Sequence, residues 1–165
     1  MSNSSTKTAL LIVDVQLGFI NEHTRHVIPF IEDVQKNYSI VFVTRFINPV
    51  NSQFRRWMKW SRFDPSSNEV DFAFDPRPDA IVVDKSIYSC VNSLFVSKLH
   101  EMNIDEVHVC GIDTDVCVTK CATDLFENNI YPVVLSACCA SHGGPEIHDW
   151  ALHILRRLIG RDQVR

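Results

Sequence analysis

The segment Val107-His108-Val109-Cys110-Gly111-Ile112-Asp113-Thr114-Asp115-Val116-Cys117-Val118 joins an apolar strand to a glycine, a short polar turn and a cysteine at the point where a helix should begin. A helix start presents unpaired N–H groups and the positive end of the backbone dipole, so a thiol there is expected to be biased toward thiolate. The same amides, those of Asp113 and Cys117, could hold an oxyanion. Two more reactive groups stand at the ends of apolar runs: Asp14 closes Thr8-Ala9-Leu10-Leu11-Ile12-Val13, and Lys85 closes Ala80-Ile81-Val82-Val83-Asp84. Together they would make a nucleophilic centre in which Cys117 attacks, Asp14 accepts and returns its proton, and Lys85 favours both anions. Taken singly, each has a plainer explanation. A strand-end Asp often caps a turn, a strand-end Lys is usually a solvated charge, and a Cys among apolar residues is usually core. Three such residues, each at the carboxyl end of a strand, are hard to reach by accident.

The elements that must bring them together are apolar strands alternating with helical patterns. Strands are expected over 8–14, 39–44, 80–85, 105–110 and 131–136, with Gln163-Val164 as a further edge strand. Helices are expected over 27–38, 51–61, 91–102, 114–128 and 146–159. Continuous apolar strands between helices imply a parallel sheet covered on both faces. The fold class is therefore α/β: a three-layer, Rossmann-like, doubly wound sheet of five to six mostly parallel strands. Sites in such sheets form beyond the carboxyl ends of the strands, where the strand order reverses. Residues 1–7 read as a disordered polar leader and residues 8–165 as a single domain.

Composition narrows the partners. The 165 residues carry a formal net charge of −4, with 45% hydrophobic and 22% charged residues. That suits one domain with a full core and gives no reason to expect nucleic acid or membrane as a partner. No apolar run approaches the ~20 residues of a membrane span, and no export signal is visible, so a cytoplasmic setting is expected. Cys90, Cys110, Cys117, Cys121, Cys138 and Cys139 contain no C-x-x-C pair and are read as reduced thiols. No G-x-G-x-x-G follows the first strand, so no nucleotide cofactor is expected.

These motifs resemble the isochorismatase-like cysteine hydrolases, the superfamily of nicotinamidase and N-carbamoylsarcosine amidase. Leu10-Leu11-Ile12-Val13-Asp14-Val15-Gln16 with Phe19 is similar to the family's first motif, Val82-Val83-Asp84-Lys85-Ser86-Ile87-Tyr88-Ser89 to its lysine motif, and Gly111 to Val118 to its cysteine motif. The resemblance implies a triad of Asp14, Lys85 and Cys117. It also implies a cis peptide between Ile112 and Asp113 that aims the Asp113 amide into an oxyanion hole, and an often oligomeric chain, a homodimer or tetramer. The Asp-x-His metal motif that nicotinamidases place after the second strand is missing, since the chain reads Thr44-Arg45-Phe46-Ile47-Asn48 there. No catalytic metal is expected, and nicotinamide is disfavoured as substrate. His23, His26, His108, His142, His148 and His153 are read as packing or surface residues.

Gln16, Phe19, Arg45, Trp57, Trp60 and Tyr88 are the candidate substrate contacts, with Phe54 as further aromatic wall; a helix packing against the sheet or a partner chain would use the same aromatics. Thr114 and Asp115 are candidate caps for the cysteine helix. The leading function is hydrolysis of a small amide or carbamoyl C–N bond through a thioester. Acid cleavage of a vinyl ether by Asp14, as in isochorismatases, and a non-catalytic binding module on the same fold are the alternatives.

Overall fold

The computed structural model describes residues 7–165. Five strands, β1 (Lys7–Val13), β2 (Val41–Phe46), β3 (Ile81–Lys85), β4 (Ile104–Ile112) and β5 (Tyr131–Ala140), pair in the order β3-β2-β1-β4-β5. Every pairing is parallel. The helices are α1 (Ile28–Val34), α2 (Gln53–Trp57), α3 (Ser93–Glu101), α4 (Thr119–Glu127) and α5 (Pro145–Leu158). The three-layer α/β architecture follows from strands that are apolar on both faces. Ala9 to Val13 in β1 and Val107, Val109 and Cys110 in β4 are all fully buried, which only helices on both sides of the sheet can achieve. Phe42 of β2 meets Phe95 of α3 edge-on, with ring centroids 5.1 Å apart.

Several elements differ from expectation at their ends. The polar leader was expected through residue 7; residues 1–6 lie outside the described residues, and Lys7 already belongs to β1, paired with Ile104. The helix expected over 27–38 is α1 flanked by single 3-10 turns at Arg25–Val27 and Gln35–Asn37. That expected over 51–61 is only α2, capped by the Ser52 hydroxyl and stopped before Lys59, whose φ is 57°. Residues 163–165 bond to β5 through Val134 N–H to the Gln163 carbonyl (2.7 Å) and Arg165 N–H to the Val134 carbonyl (3.0 Å). They form a bridge rather than a full sixth strand.

The largest difference is at Gly111. The glycine does not end β4; the strand bulges there and continues to Ile112 beside an equally extended β5. Gly111 has φ of +120°, and a Cβ on it would lie 2.1 Å from the Val13 carbonyl oxygen. Only glycine allows β4 to hug β1 at this point. The sheet order reverses between β1 and β4, so this contact sets the crevice beyond their carboxyl ends. Gly111→Ala should therefore destabilise the fold by more than about 4 kcal/mol in urea unfolding, the exceptional end of single substitutions. Gly143→Ala, whose Cβ would meet its nearest neighbours at 3.4 Å, should be nearly neutral.

Candidate active site

Asp14 follows β1, Lys85 ends β3, and Cys117 sits in a single π-helical turn, Thr114–Val118, that follows β4 and leads into α4. The three side chains meet in one buried cluster. Lys85 Nζ donates to Asp14 Oδ2 at 2.6 Å, to the Ile87 carbonyl at 3.0 Å and to Cys117 Sγ at 3.8 Å. Those contacts use the three donors of an ammonium group. β3 is two strands from β1, and the long lysine side chain bridges the gap over β2, its Nζ passing 5.3 Å from the Phe46 ring centroid. Asp14 is fully buried with φ of 48°. Its N–H donates to Thr44 Oγ1 (3.0 Å), and the same hydroxyl donates to Asp14 Oδ1 (2.6 Å).

Burial disfavours a charged lysine, but the negative surroundings, Asp14 above all, outweigh it and hold Lys85 above its ordinary pKa. The thiol differs from the sequence expectation. Burial first, and then the negative charge of Asp14, push Cys117 well above the ordinary thiol range, only partly offset by Lys85. Both causes favour the protonated thiol over the thiolate that the helix start alone would predict. The helix start does not dominate, because the cysteine is interior to the turn and 6% exposed. Thr114 and Asp115 do not cap it either: the turn has no side-chain cap, Thr114 Oγ1 bonds His148 Nδ1 at 2.8 Å, and Asp115 faces solvent.

Cys117 opens onto a pocket of about 310 Å3 lined by Phe19, Phe46, Phe54, Met58, Trp60, Arg62, Tyr88, Asp113, Val116 and His142. The Ile112–Asp113 peptide is cis. Of the candidate substrate contacts, Phe19, Trp60 and Tyr88 line this pocket and three others do not. Gln16 is fully buried, spending its amide on the Phe46 N–H and carbonyl (2.8 and 3.0 Å) and the Val70 carbonyl (2.9 Å). Arg45 points to the opposite face of β2 from Thr44 and Phe46, as strand alternation requires, and forks onto Asp84 with two 2.8 Å bonds. Trp57 is 76% exposed beneath the Arg56 guanidinium. The sequence reading missed Thr44 and Phe46, which period-2 alternation toward the end of β2 could have supplied. It also missed the pairing of Asp113 with His142, which are 29 residues apart and meet only because β4 and β5 end side by side.

The chain gives no good home to a metal beyond β2. Asn48, where a ligand motif would fall, is fully buried, with its amide donating to the Trp60 and Arg62 carbonyls (3.0 and 2.9 Å) and accepting from the Ser52 hydroxyl. Among the described residues, no three His, Cys, Asp or Glu side chains converge as a metal-binding group. Also among the described residues, no helix is long and apolar enough to cross a membrane.

Comparison with known proteins identifies the family and the fold. The isochorismatase domain matches residues 8–162. The chain belongs to the isochorismatase family. It is 33% identical over 85 residues to an uncharacterized isochorismatase family protein, PncA, of Bacillus subtilis (strain 168), a match spanning 51% of this chain and 46% of that protein. Its fold is similar to that of an isochorismatase-like hydrolase from Alkaliphilus metalliredigens, with a TM-score of 0.84 at 23% identity over 96% of this chain and 94% of the other. It is also similar in fold to the pyrazinamidase of Pyrococcus horikoshii in complex with zinc, with a TM-score of 0.79 at 19% identity over 96% and 97% of the two chains.

The charges around the sulfur make an unusual expectation for its reactivity. Burial first and then the charge of Asp14 favour the protonated thiol, so Asp14→Asn should speed alkylation of Cys117 by iodoacetamide at pH 7. Lys85→Met should slow it. Rates read by peptide mass spectrometry check this, and slower alkylation in Asp14→Asn would contradict the assigned causes.

Proposed function

We propose that this isochorismatase-family chain is a metal-independent cysteine hydrolase that cleaves a small amide or carbamoyl C–N bond through a thioester. One observation carries the reading: a single buried ammonium bonded at once to a carboxylate (2.6 Å) and to a thiol (3.8 Å) that itself lines a pocket. That arrangement is of little use to a passive binding surface, and it suits acyl transfer.

The steps follow from the atoms present. A substrate carbonyl enters over Cys117. Asp14 takes the thiol proton as the sulfur attacks the carbonyl carbon, and Lys85 stabilises the sulfur's developing charge without leaving its three acceptors. The carbonyl oxygen becomes an oxyanion, for which the Asp113 and Cys117 amides are the candidate donors; one such donor contributes about 3–4 kcal/mol in model proteases. Asp14 then returns the proton to the nitrogen, the C–N bond breaks, and ammonia or an amine leaves. Water attacks the thioester with Asp14 again as base, which frees the acid and restores the thiol. The high pKa of the resting thiol is consistent with this sequence. The nucleophile is made only when a carbonyl arrives, by proton transfer to Asp14, which shares the Lys85 ammonium with it.

No step runs through a metal, because the residues after β2 are committed to hydrogen bonds that hold the 48–62 segment. Ammonia release from a panel of small primary amides and N-carbamoyl compounds tests the reading. Cys117→Ala should lose about 10³-fold or more with an unchanged circular dichroism spectrum, and excess EDTA should leave the wild-type rate unaltered. Turnover that survives Cys117→Ala but not Asp14→Asn would overturn the thioester route in favour of acid cleavage by Asp14.

A further inference from the structure

The pocket walls are mostly apolar: Phe19, Phe46, Phe54, Met58, Trp60 and Tyr88 would enclose a flat or apolar body. Three side chains that carry charge also line it: Asp113, Arg62 and His142. The acids among and behind them are turned inward and used up. Asp113 is 5% exposed; its Oδ1 accepts the His142 backbone N–H at 2.7 Å and its Oδ2 pairs with His142 Nδ1. Glu69 accepts Arg62 Nε at 2.7 Å through one oxygen and the Phe63 N–H at 2.8 Å through the other.

What remains for a ligand is the outer half of each cation. The Arg62 side chain is 50% exposed, with Nη2 on the Gly18 carbonyl at 2.7 Å. The His142 side chain is 53% exposed. Arg62 Nη1 and His142 Nε2 have no partner among the described residues. The two belong to one continuous wall. The guanidinium lies 5.6 Å over the Phe63 ring, Phe63 lies 4.1 Å from Phe19, and Phe19 lies 6.0 Å from the His142 ring.

We propose that Arg62 and His142 form a carboxylate-binding subsite at the pocket mouth, so that the preferred substrates are small amides bearing a second, anionic end; this rests on the amidase reading of the Cys117 centre. An acceptor-only group matches donor-only side chains. A second neutral amide offers one acceptor and turns an N–H₂ toward the cations. The Asp113 carboxylate requires a proton on Nδ1, so Nε2 donates only in the imidazolium. The groups acting on His142 are Asp113 and Asp115, which favour that form, and Arg62, which opposes it. The bond to Asp113 is the largest influence and outweighs burial, raising His142 above its ordinary value. Carboxylate preference therefore extends to higher pH than an ordinary imidazolium would allow and is lost as pH rises through that raised value.

The test is isothermal titration of the Cys117→Ala protein, which cannot turn substrate over, with 3- and 4-carbamoylbenzoate and their neutral isosteres isophthalamide and terephthalamide. At least one carbamoylbenzoate should bind about tenfold tighter than its diamide. His142→Asn keeps a donor to Asp113 while removing the outward nitrogen, and Arg62→Gln removes the guanidinium. Each should reduce the preference, and the two together should abolish it. Equal affinities, a preference that survives the double substitution, or no binding of any of the four compounds would overturn the proposal. Selective binding with no hydrolysis of any carbamoyl compound by the wild-type enzyme would instead sink the amidase reading and leave the subsite standing.

Discussion

The buried ion pair between Lys85 and Asp14 is the constraint around which the site is built. Removing an ammonium and a carboxylate from water costs several kcal/mol per ion, and attraction offsets it only when every donor and acceptor is satisfied. Both ions are nearly enclosed here, with side chains 3% and 0% exposed. Lys85 fills its donor set with Asp14, the Ile87 carbonyl and Cys117. Asp14 fills its acceptors with Lys85 and the Thr44 hydroxyl. The thiol is a member of that hydrogen-bonded set rather than an addition to it, which ties the position of the sulfur to the ion pair.

The fold supports the pair from three directions. β1 turns Asp14 into a left-handed conformation whose N–H is met by Thr44. β2 places Thr44 and Phe46 on the site face and sends Arg45 to the other, where Asp84 of β3 receives it. β4 closes on β1 at Gly111, which brings the Cys117 turn over the end of β1. Beyond these, the 48–62 segment is held by the Asn48 amide and supplies much of the pocket's aromatic wall. The Asn48 side chain, at the place where the family's metal motif would fall, holds this loop.

The α/β class, the five strands and the meeting of Asp14, Lys85 and Cys117 were legible in the sequence, because apolar runs ending in a reactive residue have one simple home in a parallel sheet. The substrate wall was half legible. Phe19, Trp60 and Tyr88 line the pocket, but aromatic or basic character alone does not say which way a residue points, and Gln16, Arg45 and Trp57 point elsewhere. Gly111 was read as the point where the strand ends, because close backbone approach leaves the same mark as a strand end. The expected thiolate followed from a local rule about helix starts, and burial beside a carboxylate overrode it. The Asp113–His142 pair left no local signal, since it depends on two neighbouring strands ending level with each other.

The central claim is that the sulfur of Cys117 becomes covalently bound to the acyl part of an amide during turnover. Acid-quenching a reaction in the steady state and mapping the trapped adduct by peptide mass spectrometry examines that directly. The account predicts a mass increase equal to the acyl group on the peptide containing Cys117, labile to hydroxylamine as a thioester is. Turnover with no adduct at Cys117, or an adduct on another residue, would contradict it.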